Sequence, residues 1–218
     1  MRFTRLIAGL TTAGLLGLAP VAISSPADAA TTYTTTSSIA ASAPEVTYGD
    51  DSLSINGAVT TPDGGSVYTG SVALQVYSAK NPVWTTIQTD DSAGSYYFFD
   101  IKPDSNSLYK VVYSGITETN GDVYTPSESA PLAVGVKRKA VFKTPGLFLV
   151  GKIKPDFKRK KVVLKRKKGK KYVAWKKVRT NKKGVFRVKA PNKRGFKFSV
   201  TIPADKKYSG FTDYYQVY

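Results

Sequence analysis

The chain repeats itself at a spacing close to 90 residues, and this repeat constrains its fold more than any other feature. Ser54-Ile-Asn-Gly57-Ala-Val59 returns as Leu149-Val-Gly151-Lys-Ile153, and Pro62 answers to Pro155. Val72-Ala-Leu74-Gln75 returns as Val162-Val-Leu164-Lys165, and Trp84-Thr-Thr-Ile87 as Trp175-Lys-Lys-Val178. Gly94, Tyr96 and Phe98 match Gly184, Phe186 and Val188. Tyr109-Lys-Val111-Val-Tyr113 matches Phe198-Ser-Val200-Thr-Ile202. The offset falls from 94 at the first glycine to 91 at the tryptophan and 90 at the second glycine, as small loop deletions between two copies of one fold would make it.

Each copy is patterned as short strands. SLSING and GSVALQVYS alternate apolar and polar residues with period two. TPDGG, SAKNP, DDSAG and KPDSNS separate strands in the first copy, and KPD, KKGKK, TNKKG and PNKRG do so in the second. Val, Thr, Tyr and Phe dominate between the turns, which suits a half-buried pleated surface. No helical period is found after residue 30. The expectation is an all-β protein of two tandem antiparallel sandwiches.

The chain contains no cysteine and no histidine. Disulfides, Cys/His zinc sites, thiol nucleophiles and imidazole-based triads are therefore excluded, and no cofactor is implied. The N-terminus has the order of a secretory signal: Arg2 and Arg5, an apolar run from Leu6 to Ile23, and the A-x-A sequence Ala27-Asp28-Ala29. A signal over residues 1–29 implies a secreted product that is extracellular or retained at the cell surface. It also implies no integral membrane segment in the mature protein. About 188 residues then remain, room for two sandwiches of about 100 residues each. Residues 30–43, rich in Thr, Ser and Ala, are expected to be a polar disordered leader.

EVTYGDDSLSINGAV, GSVALQVY, W-x-x-I, DSAGSYYF and YKVVYSG together resemble the immunoglobulin-like repeats of secreted actinobacterial proteins. The resemblance covers residues 44–218, although the opening Tyr-Gly pair occurs only in the first copy. It implies two immunoglobulin-like sandwiches after the signal peptide, over 44–136 and 137–218, of a kind used as spacer or binding modules. Its motifs are structural, so it implies a fold more than an activity.

The two copies differ most in charge. Residues 30–136 hold three basic and eleven acidic residues, a net of −8; residues 137–218 hold 28 basic residues against Asp156, Asp205 and Asp213, a net of +25. The densest run, residues 158–189, keeps the strand register: Val162 and Leu164 point inward, KKGKK turns, and Phe186 and Val188 face the core with Arg187 and Lys189 outside. The three-residue step from Trp175 to Val178 predicts a bulge. The run therefore folds, and KRKK is not a nuclear signal in an exported chain. Its lysines are expected on one outer sheet face and the adjoining turns. Lys158, Arg159, Lys160, Lys161, Lys165, Lys167, Lys168, Lys170 and Lys171 form the candidate polyanion-binding cluster. Only six of the 28 cations are arginine, which favours point-charge attraction over bidentate base readout and so an anionic envelope polymer over sequence-specific nucleic acid. The bland alternative is a solvated face that only aids solubility.

Other residues carry weaker signals. The C-terminal tyrosines Tyr208, Tyr214, Tyr215 and Tyr218 suit stacking on sugars, but a packed final strand explains them as well. Trp84 and Trp175 are assigned to packing. Asp50-Asp51 and Asp90-Asp91 lack the spacing of a calcium loop and read as turn acids. Asp100 and Asp104 form a candidate carboxylate pair, but Ala190 stands where Asp100 would recur. No catalytic motif accompanies the serines and lysines. The sequence thus points to a non-catalytic, secreted two-domain protein with no metal site, held to an anionic polymer by its basic domain. The alternatives are a cationic factor acting on anionic membranes and a polysaccharide-active enzyme. Oligomeric state is left open.

Overall fold

The computed structural model describes residues 29–50 and 52–218, so the expected signal peptide, apart from Ala29, and Asp51 lie outside the described residues. The chain forms two immunoglobulin-like β-sandwiches. In the first, Glu45–Thr47, Leu132–Lys137, Ser107–Tyr113, Val72–Ser78 and Thr85–Asp90 form one sheet in that order. Its first pair is parallel and the rest are antiparallel. Ala40–Ala41, Leu53–Gly57 and Tyr96–Ile101 form the opposing sheet. Leu53, Ile55, Leu74, Phe98, Val111 and Val134 are buried between them, as their alternation requires.

The second sandwich packs Lys139–Lys143, Phe148–Lys154 and Val185–Lys189 against Lys171–Arg179, Lys161–Lys168, Lys197–Ile202 and Phe211–Gln216. Leu149, Ile153, Val162, Leu164, Phe186, Val188 and Val200 fill its core. With no disulfide available, each such side chain is worth about 1.5–3 kcal/mol of burial.

The repeated glycine is required by crowding in both domains, from different atoms. Gly57 pairs with Tyr96 and Gly151 with Phe186 across a strand ladder. A Cβ on Gly57 would run into the Ser38 carbonyl oxygen and come within 2.6 Å of the Tyr96 hydroxyl, and one on Gly151 would run into Phe186 Cε1 and come within 2.7 Å of its Cζ.

The repeated tryptophans are not equivalent. Leu74 pairs with Gln88 and Gln75 with Thr86, which leaves Ile87 as the bulged residue. Leu164 pairs with Lys176 and Lys165 with Ala174, so the bulged residue of the second domain is Trp175. The cause is loop length: residues 79–84 join the hairpin strands of the first copy, and only Gly169-Lys170 join those of the second. Trp175 packs on Phe196 and Phe198, with ring centroids 5.1 and 5.5 Å away. Trp84 instead lies 5.7 Å from Tyr77, beneath Lys110 Nζ.

Residues 30–43, expected as a disordered leader, pair with the first sandwich. Thr32–Tyr33 runs parallel to Val123–Tyr124, Thr36–Ser37 pairs with Val59–Thr60, and Ala40–Ala41 pairs with Leu53–Gly57. Short hydroxyl side chains satisfy one another there: Thr35 Oγ1 donates to the Thr125 carbonyl at 2.7 Å, and the Ser37 and Ser127 hydroxyls are 2.8 Å apart. Tyr33 stacks on Tyr124 at 5.1 Å. The leader's composition matches that of a disordered segment, but its β-branched threonines also suit a sheet edge.

Only Arg138 separates the last strand of the first domain from the first strand of the second. The segment 203–210, which joins the last two strands of the second domain, reaches back. Its Tyr208 is fully buried within the core cluster of the first domain. Tyr208 donates to the Asp104 carbonyl at 3.0 Å, and the Lys207 carbonyl accepts from Asn106 N at 2.8 Å. Ser209 N donates to the Val136 carbonyl at 2.9 Å.

Gly151→Ala is expected to destabilise the protein by about 1–3 kcal/mol, as overpacking does, shifting the urea midpoint downward. The cost should shrink in a Phe186→Leu background, where the obstructing ring is absent. An equal cost in both backgrounds would show that the ring is not the obstacle.

Candidate polyanion-binding surface

The candidate cluster folds into a strip along an inner strand of the four-stranded sheet and the turns at its two ends. Lys158, Arg159 and Lys160 form the turn that leads into Lys161–Lys168. The turn is tied down by its backbone. Arg159 has φ of 55° and donates its N–H to the Asn181 carbonyl at 3.3 Å. Arg179 Nη1 donates to the Arg159 carbonyl at 3.0 Å, and Lys160 N donates to Thr180 Oγ1 at 3.1 Å. At the other end Lys168 pairs with Lys171 across the two-residue turn Gly169-Lys170, where Gly169 supplies a φ of 55°. Eight residues at about 3.3 Å each separate the two ends by roughly 26 Å. The nine residues are all exposed, but they form an extended strip rather than one pocket.

Alternation places Lys161, Lys165 and Lys167 on the outer face of that strand, and the ladder adds Arg179 beside Lys161 and Lys177 beside Val163. Tyr172 and Tyr214 meet edge to face at 5.1 Å on the same sheet. Lys160 is the one member of the cluster with a carboxylate partner among the described residues: its Nζ lies 2.8 Å from Asp205 Oδ2. Six ion pairs occur among the described residues, and Asp205 is the only acid of the second domain in any of them. Among the described residues, Asp205 is thus the one carboxylate that pairs with the strip.

Asp205 also receives Arg138. The guanidinium is buried, donates from Nη2 to Asp205 Oδ2 at 2.5 Å and from Nε to the Pro155 carbonyl at 3.0 Å, and lies 4.2 Å from the Tyr208 ring centroid and 5.0 Å from that of Phe157. Burial works to raise the Asp205 carboxyl, but hydrogen bonds from Lys160 and Arg138 outweigh it and hold it down to about 2.

A second basic face carries residues the candidate cluster omits. Across Lys139–Lys143, Phe148–Lys154 and Val185–Lys189, the ladder aligns Lys139 with Lys154, Val141 with Lys152 and Val185, and Lys143 with Val150 and Arg187. These residues share the outer side of the three-stranded sheet. Strict alternation in Lys139-Ala-Val-Phe-Lys143 and Val150-Gly-Lys-Ile-Lys154 is the signal that could have found it. The lysines of the second domain thus occupy both outer faces, and the run 158–189, expected on one face, is itself divided, since Arg187 and Lys189 belong to the three-stranded sheet.

The weaker candidates have local explanations. Asp90 accepts the backbone N–H groups of Ser92 at 2.9 Å and Tyr97 at 3.3 Å, which is turn chemistry. Asp104 is held by Lys80 at 3.3 Å and accepts from Ser105 Oγ at 3.0 Å. No group of three or more metal-ligating side chains occurs among the described residues. Tyr215 packs 5.3 Å from Phe198 and 5.6 Å from Phe142, and Tyr208 is the interdomain plug; Tyr214 and Tyr218 stay exposed.

No protein-family model matches the chain, and neither does any curated protein. Among solved structures, the human OSCAR ligand-binding domain aligns over 84% of this chain and 98% of its own, at 14% identity and a TM-score of 0.35. The chicken CNTN1 FN1–FN3 domains align over 85% of this chain and 66% of theirs, at 12% identity and a TM-score of 0.32. A tetra-tandem repeat from the extending region of a large adhesion protein covers 85% of this chain and 48% of its own, at 12% identity and 0.33. At these values the fold rests on the strand pairing described above.

The Asp205 cluster has a pH signature. The folded carboxyl sits at about 2, below its ordinary 3.8, so its stabilisation is complete above about pH 4 and is lost as pH falls toward 2. Asp205→Asn should therefore narrow the stability gap to the parent protein across that window, read from thermal unfolding at each pH. A gap that stays constant from pH 5 to pH 2 would contradict the assignment.

Proposed function

We propose that the protein is a non-catalytic binding protein that works outside the cell, held to an anionic envelope polymer by its second domain. The observation that carries this reading is the excess of unpaired cations. The strip 158–171 and the opposite sheet face present lysines in both directions, while one carboxylate of their own domain is engaged in ion pairing among the described residues. Lysine attraction of this kind is long-ranged and weakly selective, and suits a polymer with a repeating charge. The first domain, of net charge −8, is repelled by the same polymer and projects away as a spacer or interaction module.

Binding to immobilised polyphosphate tests this across a salt series. If the strip and its neighbours neutralise six to ten phosphates, affinity should fall by about 10³–10⁵ between 50 and 200 mM salt. Reversing Lys165, Lys167, Lys168, Lys170 and Lys171 to Glu should weaken binding and flatten that slope. Retention on purified cell walls should disappear when their anionic polymers are stripped. Binding indifferent to salt, or unchanged by charge reversal, would overturn the reading.

A further inference from the structure

The outer face of the three-stranded sheet differs from the strip in one respect: valines are interleaved with its lysines. Val141 is 47% exposed, and the ladder sets Val150 diagonally between it and Val185. Lys152 stands on the middle strand between Val141 and Val185, and Lys139, Lys143, Lys154 and Arg187 lie around this row on the same side of the sheet. The interdomain junction lays Tyr48 and Gly49 of the first domain against one end, so the face is a cleft of about 580 Å³ rather than a flat sheet. One cation of the rim is neutralised: Lys139 Nζ meets Asp50 Oδ1 of the first domain. Arg187 lies 3.8 Å over the Phe148 ring and extends the apolar floor toward the strand end.

Two simple classes of ligand fail to satisfy this surface. A purely charged polymer would pair with the lysines and leave the valines in water. A neutral apolar molecule would cover the valines and strip water from several cations, at a cost without return. A molecule with one anionic head and one alkyl chain satisfies both parts. Its chain removes the valines from water, and its head keeps the lysines charged and paired.

We propose that this cleft binds a single anionic acyl lipid, its phosphate-bearing head on Lys152 and Lys154 and its chain over Val150 between Val141 and Val185. The wall at Tyr48–Gly49 makes the site a recess for one chain instead of a plane for a bilayer. The site is separate from the strip 158–171 and does not depend on the polymer reading.

Calorimetric titration of the full chain with monododecyl phosphate, below its micelle concentration, tests the proposal. Inorganic phosphate and a neutral dodecyl glycoside serve as the comparison probes, and polyphosphate binding is measured in parallel. The expected result is saturable one-to-one binding of the alkyl phosphate, at least about tenfold tighter than either comparison probe. Val141→Asp and Lys152→Glu should each weaken it about tenfold while leaving the thermal midpoint near that of the parent. Val141→Thr, which keeps strand propensity and shape, carries the same test if Val141→Asp fails to fold. Reversal of Lys165 and Lys167 should spare alkyl phosphate binding and reduce polyphosphate binding. Alkyl phosphate binding no tighter than that of inorganic phosphate overturns the proposal, as does binding unchanged in the Val141 variants. Neither result bears on the polymer reading, which the polyphosphate arm decides by itself.

Discussion

The arrangement of the two domains depends on one buried cation. Arg138 is the single residue between the two sandwiches, and it has no access to water. A guanidinium in that position is tolerable only if the protein replaces its hydration. Asp205 supplies the countercharge, Pro155 a carbonyl, and Tyr208 and Phe157 two aromatic faces, while Nη1 is buried without a hydrogen-bond partner. Every one of these partners belongs to the second domain. Tyr208, however, also completes the core of the first, where it packs edge to face with Tyr48 at 6.4 Å. The cation thus fixes the ring, and the ring fixes the domains. The ion pairs Lys137–Glu45 and Lys139–Asp50 flank this centre and add little alone, being partly exposed.

That fixed geometry has functional consequences. It brings Tyr48 and Gly49 against the three-stranded sheet and turns a face of interleaved valines and lysines into a recess. It also sets the acidic domain at one end of a molecule whose charge changes sign across a single residue. An anionic surface would attract one end and repel the other, which orients the protein before any contact forms. Lysine in place of arginine keeps the contacts adaptable, because each ammonium is a point charge on a flexible stem.

The fold was legible in the sequence because the repeat and the alternation reinforce each other. Val162, Leu164, Phe186 and Val188 are buried where their register puts them, and the expected irregularity near Trp175 is a bulge opposite Leu164. Gly57 and Gly151 recur for reasons the sequence could only hint at, the Ser38 carbonyl and Tyr96 hydroxyl at the first and the Phe186 ring at the second. The errors share a physical origin. Trp84 and Trp175 look equivalent in one dimension, but a shortened hairpin loop moves them to different ladder positions. The leader resembles a disordered segment because strand pairing with distant residues leaves little trace in composition. The strip 158–171 stands out as a run of lysines, whereas the second basic face draws on three separated strands. Arg138, Asp205 and Tyr208 were invisible as a unit, since 67 residues separate the first pair and the plug sits in a loop.

The central claim is that the second domain, through its unpaired lysines, is the surface that meets a polyanion. The most direct measurement is a residue-resolved NMR titration of the full chain with a short polyphosphate. The account predicts that perturbed amides and lysine signals fall within residues 139–197, on the strip and on the three-stranded sheet, with the first domain and the Arg138 junction unmoved. Perturbations centred on residues 30–136, or spread evenly over both domains, would contradict it.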